Sequence, residues 1–435
     1  MLDFAPMNLR SLSALIVLAG CGSSGSPLPQ PPTASKIKHL VVISQENHTF
    51  DSYFGRYCKA ATGSNPTCTA GPECCEAGPG TEPGMSSPPV VLDDTLNADR
   101  DPDHSFACET EEVNGGKMDG FVKKGKVAGC ADARNFAYAP EAVIKPYWDL
   151  ARSGALADRY FQPILGQTSA NDMYFARAAF VFDDNSVNPK AIGVACGIQG
   201  PVMEYTDPTI ADLLIAKDVG FTQYIEGYQV MLDAQKAGKC PAPPKECGFA
   251  IPIYPCNYDP TDIPFQYYAS LRDNPKVMRD FARLFPDLQG ELPAVSFVKA
   301  LGFRTEHPGH STNITDGEAF VARVLAFIAA SRHAQDTLVL LTYDEGGGYF
   351  DHVAPPPTST VDNKPYGTRV PTVAIGPFAK KNFVSHVTME HSSIVKFIEW
   401  NWLGKETGQL KTRDATVNNI GSLLDPAATG EVVPE

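Results

Sequence analysis

Two short pairs, Glu46-Asn47 and Asp344-Glu345, carry the clearest chemistry in this 435-residue chain. Together they offer three carboxylates and one amide oxygen. Such a set suits a hard divalent cation, calcium, magnesium or manganese, and can also hold zinc. A cation of that kind polarises a phosphoryl oxygen, lowers the pKa of a bound hydroxyl and orients a leaving group. Taken alone, Asp344-Glu345 before three glycines is a solvated turn, but those glycines also permit close backbone approach to a ligand. Thr168, within Gly166-Gln167-Thr168-Ser169-Ala170-Asn171, supplies a hydroxyl that a metal could activate as a nucleophile. By composition the same stretch is a turn, and Ser169 is an alternative nucleophile. A helix starting near Asn171 would present free backbone N–H groups to a phosphate. Of nine histidines, His104, His307 and His352 lie beside acidic or glycine-rich turns. An imidazolium there can bind phosphate oxygens or protonate a leaving alkoxide. His386 and His391 flank an expected helix start and read as structural.

The elements that must position these groups follow from periodicity. Short apolar, β-branched runs at 37–44, 294–299, 337–343 and 370–375 predict buried parallel strands. Amphipathic helices are expected at 142–156, 209–219, 277–284, 316–331 and 392–402, with Asp316 capping the fourth. Strands alternating with helices argue for an α/β sheet covered on both faces. Ligands of such sheets bind beyond the carboxyl ends of the strands. Three of the strands run into Glu46-Asn47-His48, Glu306-His307 and Asp344-Glu345, which therefore gather on one edge. No repeat of 20 to 50 residues is visible. Residues 57–102 and 240–262 read as cysteine-bearing loop insertions.

A net charge of −14, spread without runs, argues against nucleic-acid binding, which needs a positive footprint. It does not argue against a small phosphorylated substrate, because a local metal ion can overrule the global charge. Residues 1–20 read as an export signal: Arg10 precedes a short apolar run ending in Leu18-Ala19-Gly20-Cys21. That ending looks like a bacterial lipobox. Cys21 is then the lipid-bearing first residue of the mature protein, residues 21–36 a flexible tether, and 37–435 a single catalytic domain. The expected location is the periplasmic or outer face of a membrane, held by the lipid anchor. The remaining 10 of 11 cysteines suggest disulfides rather than a metal–thiolate site.

A Gly-x-Ser-x-Gly elbow with triad order, a His-Glu-x-x-His helix and a Walker loop are all missing. Residues 46–55 (Glu-Asn-His-Thr-Phe-Asp-Ser-Tyr-Phe-Gly) instead resemble the Glu-Asn-Arg-Ser-Phe-Asp-x-x-Phe-Gly opening of the bacterial phosphoesterase family. That group includes non-specific phospholipases C and an acid phosphatase. Residues 114–121, 168–171, 344–353 and 367–371 are similar to its further motifs, in the family's order.

The resemblance implies an alkaline-phosphatase-like three-layer α/β/α sandwich with a central, mostly parallel sheet and disulfide-stapled loops. It implies one divalent metal ion held by Glu46, Asn47, Thr168, Asp344 and Glu345, and a covalent phospho-threonine at Thr168. His104 and His307 would bind phosphate or donate a proton, with Asn171 and His352 beside the substrate. The substrate would be a small phosphomonoester or a phospholipid headgroup, for an acid phosphatase or a phospholipase C respectively. The sequence departs from the family at three positions: His48 and Asp172 stand where it has arginine, and Ala170 where it has proline. Lost positive charge near the site leaves two alternatives: a degenerate, lipid-anchored protein that binds phosphorylated ligands, or a related sulfate-ester chemistry.

Overall fold

The computed structural model describes residues 32–185, 204–248 and 254–435. The expected signal, Cys21 and most of the tether lie outside these residues, as does Cys196. Among the described residues ten strands form: β1 His39–Gln45, β2 Val90–Val91, β3 Ala137–Tyr138, β4 Ala155–Ala157, β5 Phe221–Ile225, β6 Met278–Asp280, β7 Val295–Lys299, β8 Thr337–Tyr343, β9 Val373–Ile375 and β10 Phe383–Ser385. Eight make one sheet in the order β10-β4-β9-β8-β1-β7-β5-β6, while β2 and β3 pair separately. Within the large sheet β9 alone runs antiparallel, against both β8 and β4.

The centre of the sheet is β1 and β8, and every residue of both is buried. A strand buried on both faces must be apolar throughout rather than alternating, as Leu-Val-Val-Ile and Leu-Val-Leu-Leu are. The helices that cover the sheet fall into two packed groups. Glu141–Ser153 lies against Ile314–Ala329, and His391–Trp402 against Thr168–Ala176 and Ile210–Ile215. Truncating a core residue such as Leu340 to Ala would cost about 2–5 kcal/mol through lost transfer energy and the cavity left behind.

Several expectations shift. The run at 370–375 does form a strand, but an antiparallel one, since apolar content carries no direction. The helix expected over 142–156 ends at Ser153, and Ala155–Ala157 crosses into the sheet. The stretch 277–284 is an edge strand followed by a 3-10 turn and the helix Leu284–Gln289. Helix Ile314–Ala329 is preceded by Asn313 rather than capped by Asp316; the Asn313 amide donates to Asp316 instead. Disulfides Cys58–Cys75 and Cys68–Cys74 staple the first insertion, Cys108–Cys130 a neighbouring loop and Cys247–Cys256 the second insertion.

Candidate active site

Register places the first two clusters side by side. Gln45 pairs with Tyr343 at the carboxyl ends of β1 and β8, so Glu46 and Asp344 leave the sheet together. The Asn47 N–H donates to Asp344 Oδ1 at 3.0 Å. Asn47 itself adopts a left-handed conformation, φ 64°, one that asparagine tolerates better than most residues. Gly347 lies so close that an added Cβ would sit 2.2 Å from the Asn47 carbonyl oxygen. Only glycine lets these two loops meet.

Thr168 arrives from another element. It is the first residue of helix Thr168–Ala176, half-buried, with Oγ1 donating to Asn47 Oδ1 at 3.4 Å. The turn before it is built by two buried residues. Asn171 accepts from Ile164 N–H and donates to the Gly166 and Gln167 carbonyls. Glu109 accepts from Gly166 N–H at 2.5 Å and from Gln162. Asn171 therefore spends its hydrogen bonds on its own loop, shaping the approach of Thr168 rather than facing the cluster.

The oxygen set passes a test for cation binding. Asp344 Oδ2 and Glu345 Oε1 are buried without a hydrogen-bond partner. Buried polar atoms are nearly always satisfied, so an orphaned pair marks a place for a cation. Burial pushes Asp344 up to about 6, and it raises Glu345 well above the carboxylate range with Glu109 and Asp344 adding to the effect. Burial also lifts Glu109, to about 8. Glu46 goes the other way: burial raises it, but the Lys299 ammonium in direct ion pair with its Oε1 outweighs that. Thr305 and Tyr254 donate to its Oε2.

His104 and His307 form one wall, their rings 5.7 Å apart. His104 Nδ1 bonds the Pro102 carbonyl at 2.8 Å and His307 Nδ1 the Pro308 carbonyl at 2.7 Å. Each imidazole is thus oriented by its Nδ1; His104 Nε2 accepts from the Asn47 side-chain NH2 at 3.3 Å and lies 3.8 Å from Glu345 Oε1. His307 also converges with Asp101 and His310. The structure does not bring His352 into this group. It is held between Asp51 at 2.7 Å and Glu76 at 3.0 Å, and its contacts are those of a structural cation.

Sequence reasoning missed Lys299 and Glu109, and named Asp172 only as a departure from the family motif. Lys299 is the charged last residue of an apolar parallel strand, a signal readable from the strand pattern. Glu109, on a helix beside Cys108, has no such signal. Asp172 is fully buried near Lys299, Asp344 and Glu46. His48 is buried and bonded to the Glu46 carbonyl and to Asn97, stacked between Tyr53 and Tyr349.

Residues 37–403 match the Phosphoesterase family, and the chain belongs to that family: it is a hydrolase of phosphoric ester bonds. It is 24% identical over 453 residues to phospholipase C B of Mycobacterium tuberculosis (strain CDC 1551 / Oshkosh), covering 92% of this chain and 80% of that one. It is 26% identical over 389 residues to non-specific phospholipase C6 of Arabidopsis thaliana, covering 83% and 67%. Among solved structures it is similar to a phosphonate monoester hydrolase of Agrobacterium radiobacter, with 10% identity, TM-score 0.36, and coverage of 92% and 78%.

Proposed function

We propose that this chain is a metal-dependent phosphoesterase, of acid phosphatase or phospholipase C type, that works through a phosphorylated Thr168. The observation that carries the reading is the meeting of the Thr168 hydroxyl with the Asn47 amide oxygen beside the orphaned oxygens of Asp344 and Glu345. Glu46, Asn47, Thr168, Asp344 and Glu345 would hold one divalent cation, which when bound lowers the hydroxyl's pKa and neutralises phosphoryl charge. Thr168 Oγ1 releases its proton to solvent and attacks phosphorus; the new O–P bond forms as the ester O–P bond breaks. His104 or His307 gives the departing alkoxide a proton from Nε2. Water then cleaves the phospho-threonine, releasing phosphate from a monoester or a phosphorylated headgroup from a diester.

The helix N-terminus at Thr168 favours the phosphoryl charge, since the dipole and free N–H groups point at it. The departures at 48 and 172 leave the ligand set whole, and Lys299 keeps a cation beside Glu46. Disulfides support an exported protein, because they persist in oxidising compartments. In this reading residues 1–20 are removed and lipidated Cys21 tethers the domain 37–435 to a membrane; the mass of the mature chain tests it.

A panel of a chromogenic phosphomonoester and phosphatidylcholine, run with and without chelator, tests the main proposal. Turnover of at least one ester, abolished by chelator and restored by a divalent cation, is expected. Chelator-insensitive turnover would remove the metal from the mechanism.

A further inference from the structure

The opposite ends of β1 and β8 carry a second constellation that phosphoester hydrolysis does not use. His39 opens β1, Asp336 immediately precedes β8, and His333 sits in the turn that joins helix Ile314–Ala329 to β8. The register His39↔Thr337 brings the three together. One ligand atom from each lies within 4.8 Å of the other two.

Hydrogen bonds outside the trio fix the tautomers of both imidazoles. His39 Nδ1 bonds the Pro293 carbonyl at 2.9 Å, and His333 Nε2 the Gly290 carbonyl at 3.1 Å. A carbonyl only accepts, so those nitrogens carry the hydrogens. The remaining nitrogens, His39 Nε2 and His333 Nδ1, keep lone pairs in the neutral rings. Both lie near the same atom, Asp336 Oδ1, at 4.0 Å and 3.6 Å. These separations are too long for hydrogen bonds. Asp336 Oδ1 is itself buried with no hydrogen-bond partner, and His39 and His333 are 3% and 8% exposed.

Two lone pairs on buried imidazoles and a buried oxygen of the partly exposed Asp336 face one another, an arrangement that suits a positive charge between them. Zinc held tetrahedrally at about 2.0–2.2 Å separates its ligand atoms by roughly 3.3–3.5 Å. The two separations to Asp336 Oδ1, 3.6 and 4.0 Å, are wider than that, and the two imidazole nitrogens lie within 4.8 Å of each other. Backbone carbonyls on the outer nitrogens are the usual support for metal-binding histidines, since they orient the ring and set the tautomer. The competing reading is an edge-to-face pair of packed imidazoles, ring centroids 4.4 Å apart, beside an ordinary surface aspartate.

We propose that His39, His333 and Asp336 bind a divalent transition-metal ion of the zinc type, with the fourth position open to water. This site is separate from the catalytic centre. It clasps the beginnings of the two strands whose other ends carry Glu46 and Asp344, so its effect is on stability rather than turnover.

The test counts zinc. Full-length wild type, His333→Ala and Asp336→Asn are saturated with zinc, passed through gel filtration and analysed by mass spectrometry for metal per chain. Each variant should carry one zinc ion fewer than wild type, and the concentration-dependent rise in Tm that zinc gives wild type should shrink. Turnover of a chromogenic phosphate ester should be unchanged. Equal zinc in all three proteins would overturn the proposal. Asp336→Asn keeps both rings and their packing, so it decides the matter if His333→Ala fails to fold. The count does not depend on the Thr168 mechanism.

Discussion

At the scale of single residues, two candidates for the nucleophile can now be told apart by surroundings. Thr168 is half-buried and faces Asn47, whereas Ser169 is fully buried and its hydroxyl is engaged with the Tyr267 hydroxyl. Thr168→Val should lower turnover by on the order of 10³-fold or more, as loss of a covalent nucleophile does, while Ser169→Ala should keep most activity. Equal rates for Thr168→Val and wild type would end the covalent mechanism. Lys299 makes a second residue-scale case. Its ammonium is buried against Glu46, with Asp172, Asp262 and Asp344 contributing to its field. Removing one partner from a buried charge group leaves the rest uncompensated, at a cost of about 3–5 kcal/mol. Lys299→Met should therefore shift the urea unfolding midpoint strongly downwards; a midpoint equal to wild type would show that water or protonation absorbs the charge.

At the scale of elements, the loop 306–312 shows how much of the site could be read in advance and why the rest could not. The sequence places Glu46, His307 and Asp344 at the carboxyl ends of apolar runs, and strand position alone is enough to gather them. It does not reveal what holds the loop. Glu306, His310 and Ser311 all have positive φ, a conformation that costs non-glycine residues and persists only where surroundings over-determine it. The surroundings here are Asn97, whose amide donates to the Glu306 and Thr312 carbonyls and whose carbonyl oxygen bonds His48. Nothing local to Asn97 announces contacts 209 and 215 residues away. The same limit hides Glu109, and it explains β9: a β-branched run predicts a buried strand, but direction is decided by its neighbours β8 and β4. Asn97→Ala should cost about 1–3 kcal/mol by stranding buried partners and should lower kcat through misplaced His307. A variant with unchanged kcat would mean that Thr312 alone holds the loop.

At the scale of the whole molecule, the disulfide-stapled insertion is tied to the core through charge as well as covalent bonds. His352 is the clasp: it joins Asp51, beside Arg369 in the core, to Glu76, one residue past Cys75 of the insertion. Burial disfavours its charge, but Asp51 and Glu76 outweigh that and raise it to about 9. For Glu76, burial is likewise outweighed by His352 and by backbone N–H groups, which hold it at about 2. The signs then follow. A histidine raised from its unfolded value contributes stability that is complete below about pH 6.5 and is lost as pH climbs through about 9. The depressed Glu76 contributes above about pH 4.5 and fails only as pH falls through about 2. Wild type should thus be most stable between these limits, with a Tm that falls on the alkaline side well before lysines or tyrosines titrate. His352→Gln removes the charge and should lower the Tm at pH 6, while flattening its fall between about pH 6.5 and 9. Thermal melts across that range, with the disulfides intact, compare the two slopes directly. Parallel slopes for variant and wild type would place the alkaline loss in the general negative charge of the chain rather than in this clasp.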